Sequence, residues 1–437
     1  MDESLVPPTT QPARLRRDVF LTFGGKVATL VLGFVIAVVV ARQLGPVGQG
    51  IFAVAYSLTL LLVQLGSLGL TTANPYFAAR DATLRTRLVA NSLWLAAGLG
   101  TLLVGAGLIL KLVAPGTIEG LGWTPLAITL AGVPASMAGV LLQSILLGEG
   151  RIVAYNAVEV VQVAVSLVVL VLGYVFFDLE IVGTLAVLVA VRYAGAGLYL
   201  VLLAQDTRLF TAPDLSLVRR TLRYGLRIYA AIALSFLLVR FDLLLVNALL
   251  GSHEAGLYSI AATLADGMFV LPMVIGLNML PRVARGDPTE SSAEIFRSVA
   301  VLYGLLCVIT VPLASPAIRV FFGENYAGAA GLYYWLVPGI FSYGMVTILS
   351  SHFAGRGYPL KAIVLWLGGF GLNLALNLIF LPGRGAWVAS LTSSISYTAV
   401  LVLHMWLFAQ ETGRWDAMRP NPREVVRFVR VAFGRSA

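Results

Sequence analysis

The sequence predicts an all-α integral membrane protein of about 12 transmembrane helices, arranged as two six-helix bundles related by a parallel internal repeat. Three observations predict it. Of 437 residues, 59% are apolar and 12% charged, against roughly 45–50% and 25% in soluble domains. The apolar residues fall in stretches of 20 or more, the length that crosses a bilayer core of roughly 30 Å at about 1.5 Å per residue. Short motifs recur at one fixed offset near the middle of the chain.

In chain order, residues 1–18 form a polar, proline-rich tail. The apolar stretch at 19–41 that follows is too long for the roughly 7–15-residue core of a signal peptide. It reads as the first spanning helix. Apolar stretches between charged or Gly/Pro punctuation continue at 50–77, 88–112, 123–147, 152–177 and 181–204. They resume at 226–250, 255–280, 297–321, 328–354, 359–381 and 385–409. Residues 19–204 and 226–409 are thus the two bundles. Segment 205–225 joins them, with Asp214 placed to cap a short helix that carries Leu215, Val218 and Leu222 on one face and Arg220, Arg223 and Arg227 on another. This linker is expected on the inner leaflet. In the basic tail, 410–437, Asn421 and Pro422 open a helix with Arg423, Arg427 and Arg430 on one side, suited to anionic lipid headgroups.

Charge checks the count of spans. Of 30 Lys and Arg, 23 fall on one side when the loops alternate. Arg42, Lys111, Arg319 and Arg384 fall on the other, and Lys26, Arg192 and Arg240 lie inside spans. The positive-inside rule then places both termini in the cytoplasm. The formal charge of +9 is absorbed by this asymmetry, so it does not indicate nucleic acid. The single cysteine, Cys307, excludes intramolecular disulfides and Cys-rich metal sites.

The repeat is specific. Leu44-Gly45-Pro46-Val47-Gly48-Gln49-Gly50-Ile51-Phe52 follows span 1, and Leu250-Gly251-Ser252-His253-Glu254-Ala255-Gly256-Leu257-Tyr258 follows span 7, 206 positions on. Gly148-Glu149-Gly150, between spans 4 and 5, recurs 207 positions on as Gly355-Arg356-Gly357, between spans 10 and 11. An even number of spans per copy gives both copies the same orientation, with the halves related by an axis along the membrane normal, an arrangement typical of transporters.

The segments LTFGGKVATLVLGFVIAVVVARQLGPVGQGIFAVAYSLTLLLVQLGSLGL and VRFDLLLVNALLGSHEAGLYSIA resemble the polysaccharide-biosynthesis flippases of the multidrug/oligosaccharidyl-lipid/polysaccharide exporter superfamily. The resemblance covers essentially the whole chain. It implies a transporter that moves a lipid-linked oligosaccharide from the inner to the outer leaflet of a bacterial cell membrane, with two bundles around a central cavity. Within the superfamily, Arg240-Phe241-Asp242 and the twelve-span count favour the polysaccharide branch. Lipid II flippases usually have fourteen helices, from which this chain departs.

Six ionisable residues lie inside spans: Lys26, Glu159, Arg192, Arg240, Asp242 and Asp266. Each carries an insertion penalty of roughly 2.5–3.5 kcal/mol at a helix centre, so such residues face a cavity or a partner. Lys26, Arg192 and Arg240 are the candidate cations for the pyrophosphate of a polyprenyl-linked sugar. Lys26 is also within snorkelling reach of the headgroups. Glu159, Asp242 and Asp266 are candidates for coupling to H⁺ or Na⁺. Counting from the turn at Gly251 puts Arg240 and Asp266 at similar depth, which suits a mutual pair. Asp242 points about 160° away from Arg240. Arg192 is left with Glu159 or the open cavity. Asn156, Gln162, Gln143, Asn247, Asn278, Asn373 and Asn377 add hydrogen-bonding capacity for sugars or between helices.

Pro134 in span 4 and Pro338 in span 10 lie 204 apart, so each half carries a helix interruption in a matching place, the mark of a hinge or binding site. With no Gly-x4-Gly-Lys-Ser/Thr loop, energy is expected from the membrane potential or an ion gradient and no cofactor is required. The expected partners are the lipid-linked substrate, anionic membrane lipids and polysaccharide-assembly membrane proteins. Two other readings stay open. A multidrug exporter would favour an acidic cavity with few cations. A membrane glycan ligase or polymerase would need an outward catalytic loop, whereas Glu119, Asp178, Glu180, His253 and Glu254 sit in short ones and His352 and His404 are isolated.

Overall fold

A computed structural model describes residues 12–204, 211–286 and 289–413, and these contain helices and turns with no strand. The helices are α1 (Pro12–Gly66), α2 (Leu70–Arg80), α3 (Arg85–Val113), α4 (Trp123–Gly148), α5 (Ile152–Phe177), α6 (Ile181–Ala204), α7 (Leu215–Leu250), α8 (Ser252–Ala284), α9 (Thr289–Phe321), α10 (Ala329–Gly355), α11 (Leu360–Phe380) and α12 (Trp387–Thr412). Single helical turns follow α3 at Pro115–Ile118 and α9 at Glu324–Tyr326. The basic tail helix expected from Asn421 lies outside the described residues.

Among the described residues, eleven helical stretches are long and apolar enough to span a bilayer, the first being Leu21–Gly66 at 46 residues. A straight helix of that length would reach about 69 Å, twice the bilayer core. It is not straight, because Gly45 (φ 66°, ψ 177°) leaves the helical region. Gly251 takes nearly the same angles (φ 88°, ψ 173°) between α7 and α8. The duplicated Leu-Gly turn therefore makes the same reversal twice, dividing α1 into two passes and bringing the total to twelve. The second motif agrees, with Gly150 at φ 69° and Gly357 at φ 88°. Large side chains such as Leu102, Val113, Phe177, Val308 and Ile379 are exposed on the perimeter, as a lipid-facing belt requires.

The structure corrects three expectations. Span 2 is not one helix: it breaks between Gly66 and Leu70, where Leu68 (φ 45°) and Gly69 (φ 80°) turn the chain. The hydroxyl of Tyr229 shares its one proton between the carbonyls of Gln64 and Leu65, at 2.7 and 2.8 Å, a donor that the ending helix lacks. The short linker helix is not separate either. Asp214 does cap, its carboxylate accepting from the Leu217 N–H at 3.0 Å, but the helix it opens is α7 itself, 36 residues long. The backbone N–H of Asp214 also donates to Asn91 Oδ1 at 2.8 Å, and Asn91 Nδ2 donates to its carbonyl at 3.2 Å, so the opening of α7 docks on α3.

Finally, α4 and α10 run unbroken through Pro134 and Pro338. At Pro338 the reason is visible. The Gly339 N–H donates to the Ser394 hydroxyl at 3.0 Å, which donates to the Trp335 carbonyl at 2.5 Å. The Ser394 hydroxyl of α12 is thus inserted between the Gly339 N–H and the Trp335 carbonyl, the rung next to the one that Pro338, lacking an N–H, cannot make with Tyr334.

The halves meet most closely at the end bearing the Gly45 and Gly251 turns. A Cβ on Gly50 would overlap the carbonyl oxygen of Ser252, and one on Gly256 would overlap that of Pro46. Pro46 and Ser252 are equivalent positions, as are Gly50 and Gly256, so the packing is reciprocal. Beside it, Tyr326 donates to the Ala41 carbonyl at 2.7 Å, and Asn247 donates to the Glu119 carbonyl at 2.8 Å. Ala41 and Asn247 are 206 apart and Glu119 and Tyr326 are 207 apart. In each half, then, the connector after the third span bonds to the end of the first span of the other half.

Candidate functional site

Between the halves lies a cavity of about 880 Å³ lined by residues of both. Its polar wall gathers Gln143, Glu159, Gln162 and Arg192 from the N-terminal half and Ser259, Thr263, Arg240 and Asp266 from the C-terminal half. Arg192 lies 11 residues into α6, and Arg240 lies 11 residues before Gly251. Both are therefore about 17 Å from the turn end. Tyr56, 11 residues after Gly45, shares that depth, and the Arg192 guanidinium lies 5.5 Å from its ring centroid.

The cations differ in how far they are neutralised. Arg240 donates to Asp266 Oδ2 at 2.9 Å, the pair that depth counting favours, while its Nε is buried without a partner among the described residues. Lys26 Nζ donates to both oxygens of Glu159 at 2.8 and 2.7 Å, and Gln143 Nε2 donates to the same carboxylate at 3.0 Å. Glu159 therefore serves Lys26, and Lys26 does not reach for the headgroups. Arg192 lines the cavity with the Tyr56 face beside it and, among the described residues, no carboxylate within ion-pair distance. Among the described residues, the cavity wall thus carries the Arg240–Asp266 pair, Glu159 neutralised by Lys26 from outside the lining, and one uncompensated cation, Arg192.

Asp242 is elsewhere. It is fully buried within the C-terminal half, where Tyr258 Oη donates at 3.3 Å, Asn377 Nδ2 at 3.1 Å, and the Ser393 hydroxyl is hydrogen-bonded to it as well. Thr392 donates to Asn377 Oδ1 at 2.9 Å, and Asn377 Nδ2 also reaches the Asn373 carbonyl at 3.0 Å. The result is a compact oxygen-rich cluster joining α7, α8, α11 and α12. Among the neutral residues, Gln143 and Gln162 line the cavity. Asn156 bonds Thr22 and its own helix, and Asn278 bonds its own helix.

Sequence reading did not single out Tyr56, Ser259, Tyr258 or Ser393. An aromatic or a small hydroxyl in an apolar stretch looks like helix packing, and only the equal depth of Tyr56 and the two arginines could have drawn attention to it. No group of three or more His, Cys, Asp or Glu residues is placed to hold a metal among the described residues.

The family described as polysaccharide biosynthesis protein matches residues 15–281, more than half of the chain. An uncharacterized membrane protein of Methanocaldococcus jannaschii is 26% identical over 188 residues, 42% of this chain and 44% of that protein. The chain therefore spans less than half the length of the curated relative it matches. Among solved structures, an inward-facing multidrug resistance MATE family transporter of the MOP superfamily superposes with a TM-score of 0.72 at 14% identity, covering 89% of this chain and 95% of that one. The lipid II flippase MurJ in an inward closed conformation gives a TM-score of 0.66 at 11% identity, covering 96% of this chain and 94% of that one. At these identities the likeness is one of fold.

Proposed function

The chain belongs to the polysaccharide biosynthesis protein family, and from that premise we propose that it is a membrane transporter that carries a polyprenyl-pyrophosphate-linked oligosaccharide from the inner to the outer leaflet. The observation that carries this reading is the charge of the cavity. Arg192 is uncompensated at mid-depth, Arg240 lies at the same depth, and Lys26 is close behind Glu159. A buried cation is expensive in a membrane unless something anionic visits it, and a pyrophosphate offers several acceptor oxygens to paired guanidiniums. Phosphate oxygens can also take over the roles that Asp266 and Glu159 play toward their partners. A cavity of about 880 Å³ suits the polar head of such a lipid, while the polyprenyl tail stays in the bilayer. An exporter of cationic drugs would gain nothing from Arg192, and a glycan ligase would need an acid/base pair that this wall does not supply.

Movement follows from the architecture. Two equivalent halves flank the cavity, and rocking one against the other exposes it to alternate sides. Outward passage of an anion in an inside-negative cell yields roughly 2.3 kcal/mol per charge per 100 mV. The Asp242 cluster, whose carboxylate is flanked by the hydroxyls of Tyr258 and Ser393, is the better of the coupling candidates, since oxygen ligands suit a hard cation and a buried carboxylate also suits a proton. In this reading the cell membrane is bacterial, both termini are cytoplasmic, anionic lipids contact the basic end, and polysaccharide-assembly proteins receive the product.

The test is translocation of a fluorescent polyprenyl-pyrophosphate oligosaccharide in proteoliposomes. Arg192→Gln lowers the rate at least tenfold without lowering thermal stability. Full transport by Arg192→Gln together with Arg240→Gln would overturn the reading.

A further inference from the structure

Gln49 breaks the repeat at a position where the fold does not need it. The duplicated turn keeps Leu44 and Leu250, Gly45 and Gly251, and Gly50 and Gly256, yet Gln49 is matched by Ala255. Ala255 is fully buried, so the turn closes and packs with a methyl group there. Gln49 is itself only 3% exposed, and it lines the cavity.

Its hydrogen bonds leave one atom over. Gln49 Nε2 lies 3.1 Å from Ser259 Oγ, and that hydroxyl spends its own proton on the Gly256 carbonyl at 2.7 Å. Ser259 must therefore accept, which fixes the orientation of the amide. Gln49 Oε1 is then an acceptor, buried and without a partner among the described residues. A buried acceptor with nothing to accept is unfavourable, and the alternative residue is present in the other copy of the turn.

We propose that Gln49 is a specificity-determining contact for the sugar portion of the substrate, its Oε1 accepting a hydrogen bond from a glycan hydroxyl or acetamido N–H. The inference rests on the function proposed above. Only a donor satisfies this atom, so a phosphate oxygen is excluded. Depth agrees: Gln49 lies four residues past Gly45 and the arginines eleven from the turn end, a separation of about 10 Å along the membrane normal, room for about two pyranose rings. The head of the substrate therefore lies with its pyrophosphate at Arg192 and Arg240 and its glycan reaching toward the Gly50 and Gly256 seam.

The experiment compares two probes in nanodiscs, a polyprenyl-pyrophosphate tetrasaccharide and bare polyprenyl pyrophosphate. Gln49→Ala, the residue the second copy already uses, weakens binding of the glycan-bearing lipid about five- to tenfold and leaves binding of the bare lipid unchanged. If that variant does not fold, Gln49→Met keeps the volume without the acceptor and is read instead. Equal loss for both probes, or no loss for either, overturns the assignment of Gln49 while leaving the function standing. Failure of the unmodified protein to bind either lipid overturns the function and this inference together.

Discussion

Two of the three cations around the cavity come with a carboxylate already attached, and this sets what their removal does. The Lys26 and Glu159 side chains are 30% and 24% exposed, so solvent screens the pair and its coupling is modest. A double-mutant cycle of Lys26→Met and Glu159→Gln, followed by thermal unfolding in detergent, should return about 1–2 kcal/mol of mutual stabilisation. Outside the membrane, Asp214 offers a pH test. The Ser216 hydroxyl first, and then the Leu217 N–H, hold its carboxyl below the usual carboxylate range. A carboxyl whose folded pKa is depressed contributes stability above its unfolded value, and that contribution is lost as pH falls through the folded one. Asp214→Ala should therefore lower the thermal midpoint at neutral pH and close the gap to the unmodified protein on acidification below about pH 4. A gap that widens on acidification would contradict the cap.

At this scale the sequence was partly legible. Counting residues from Gly251 paired Arg240 with Asp266, and the 100° step per residue separated Asp242 from Arg240. The partner of Glu159 was not legible. Depth alone allows Arg192 or Lys26, and the choice depends on how α1, α5 and α6 are rotated about their axes, which no single stretch of sequence records.

Among the elements, α10 and the duplicated turn make the firmest predictions. Ser394→Ala removes the hydroxyl that bridges Gly339 and Trp335, leaving an N–H and a carbonyl unpaired beside Pro338. The expected loss is about 1–3 kcal/mol in unfolding free energy, and Pro338→Ala should recover part of it by returning an N–H to the Tyr334 carbonyl and letting the neighbouring rung close directly. Gly256→Ala places a methyl group against the backbone of Pro46, where neither side can yield as a flexible side chain would. It should destabilise by about 1–3 kcal/mol or more. Gly98→Ala and Gly371→Ala, where a Cβ meets nothing within 4 Å, should be neutral within about 0.5 kcal/mol. Equal effects at all three glycines would show that the turn contact is not what Gly256 serves. Helix lengths and turns could be read because apolar length and glycine punctuation are local signals. The break at Leu68 and the extension of α7 through the linker could not, since each is fixed by a distant partner, Tyr229 for the first and Asn91 for the second.

Across the whole molecule, the scaffold repeats and the chemistry does not. At the offset of 206, Arg192 corresponds to Thr398, Arg240 to Phe34, Asp266 to Leu60 and Asp242 to Ile36. Every charge proposed to act thus has a neutral counterpart in the other half, as expected if duplication supplied the framework and later divergence the site. The proposed orientation is checked with the loop between α2 and α3. Ala82→Cys, exposed beside Arg80, should react with a membrane-impermeant maleimide in inside-out vesicles and resist it in right-side-out ones. The native Cys307 is buried and should stay silent. The opposite pattern would reverse the topology.

The seam of Gly50 and Gly256 has a further consequence. Position 50 packs on 252 and position 256 on 46, so the contact inside one polypeptide is isologous, as in a twofold homodimer. Either half alone carries a self-complementary patch. Expressed alone, a half would be expected to pair with a second copy of itself through this turn, as an ancestral single-repeat protein would have had to do.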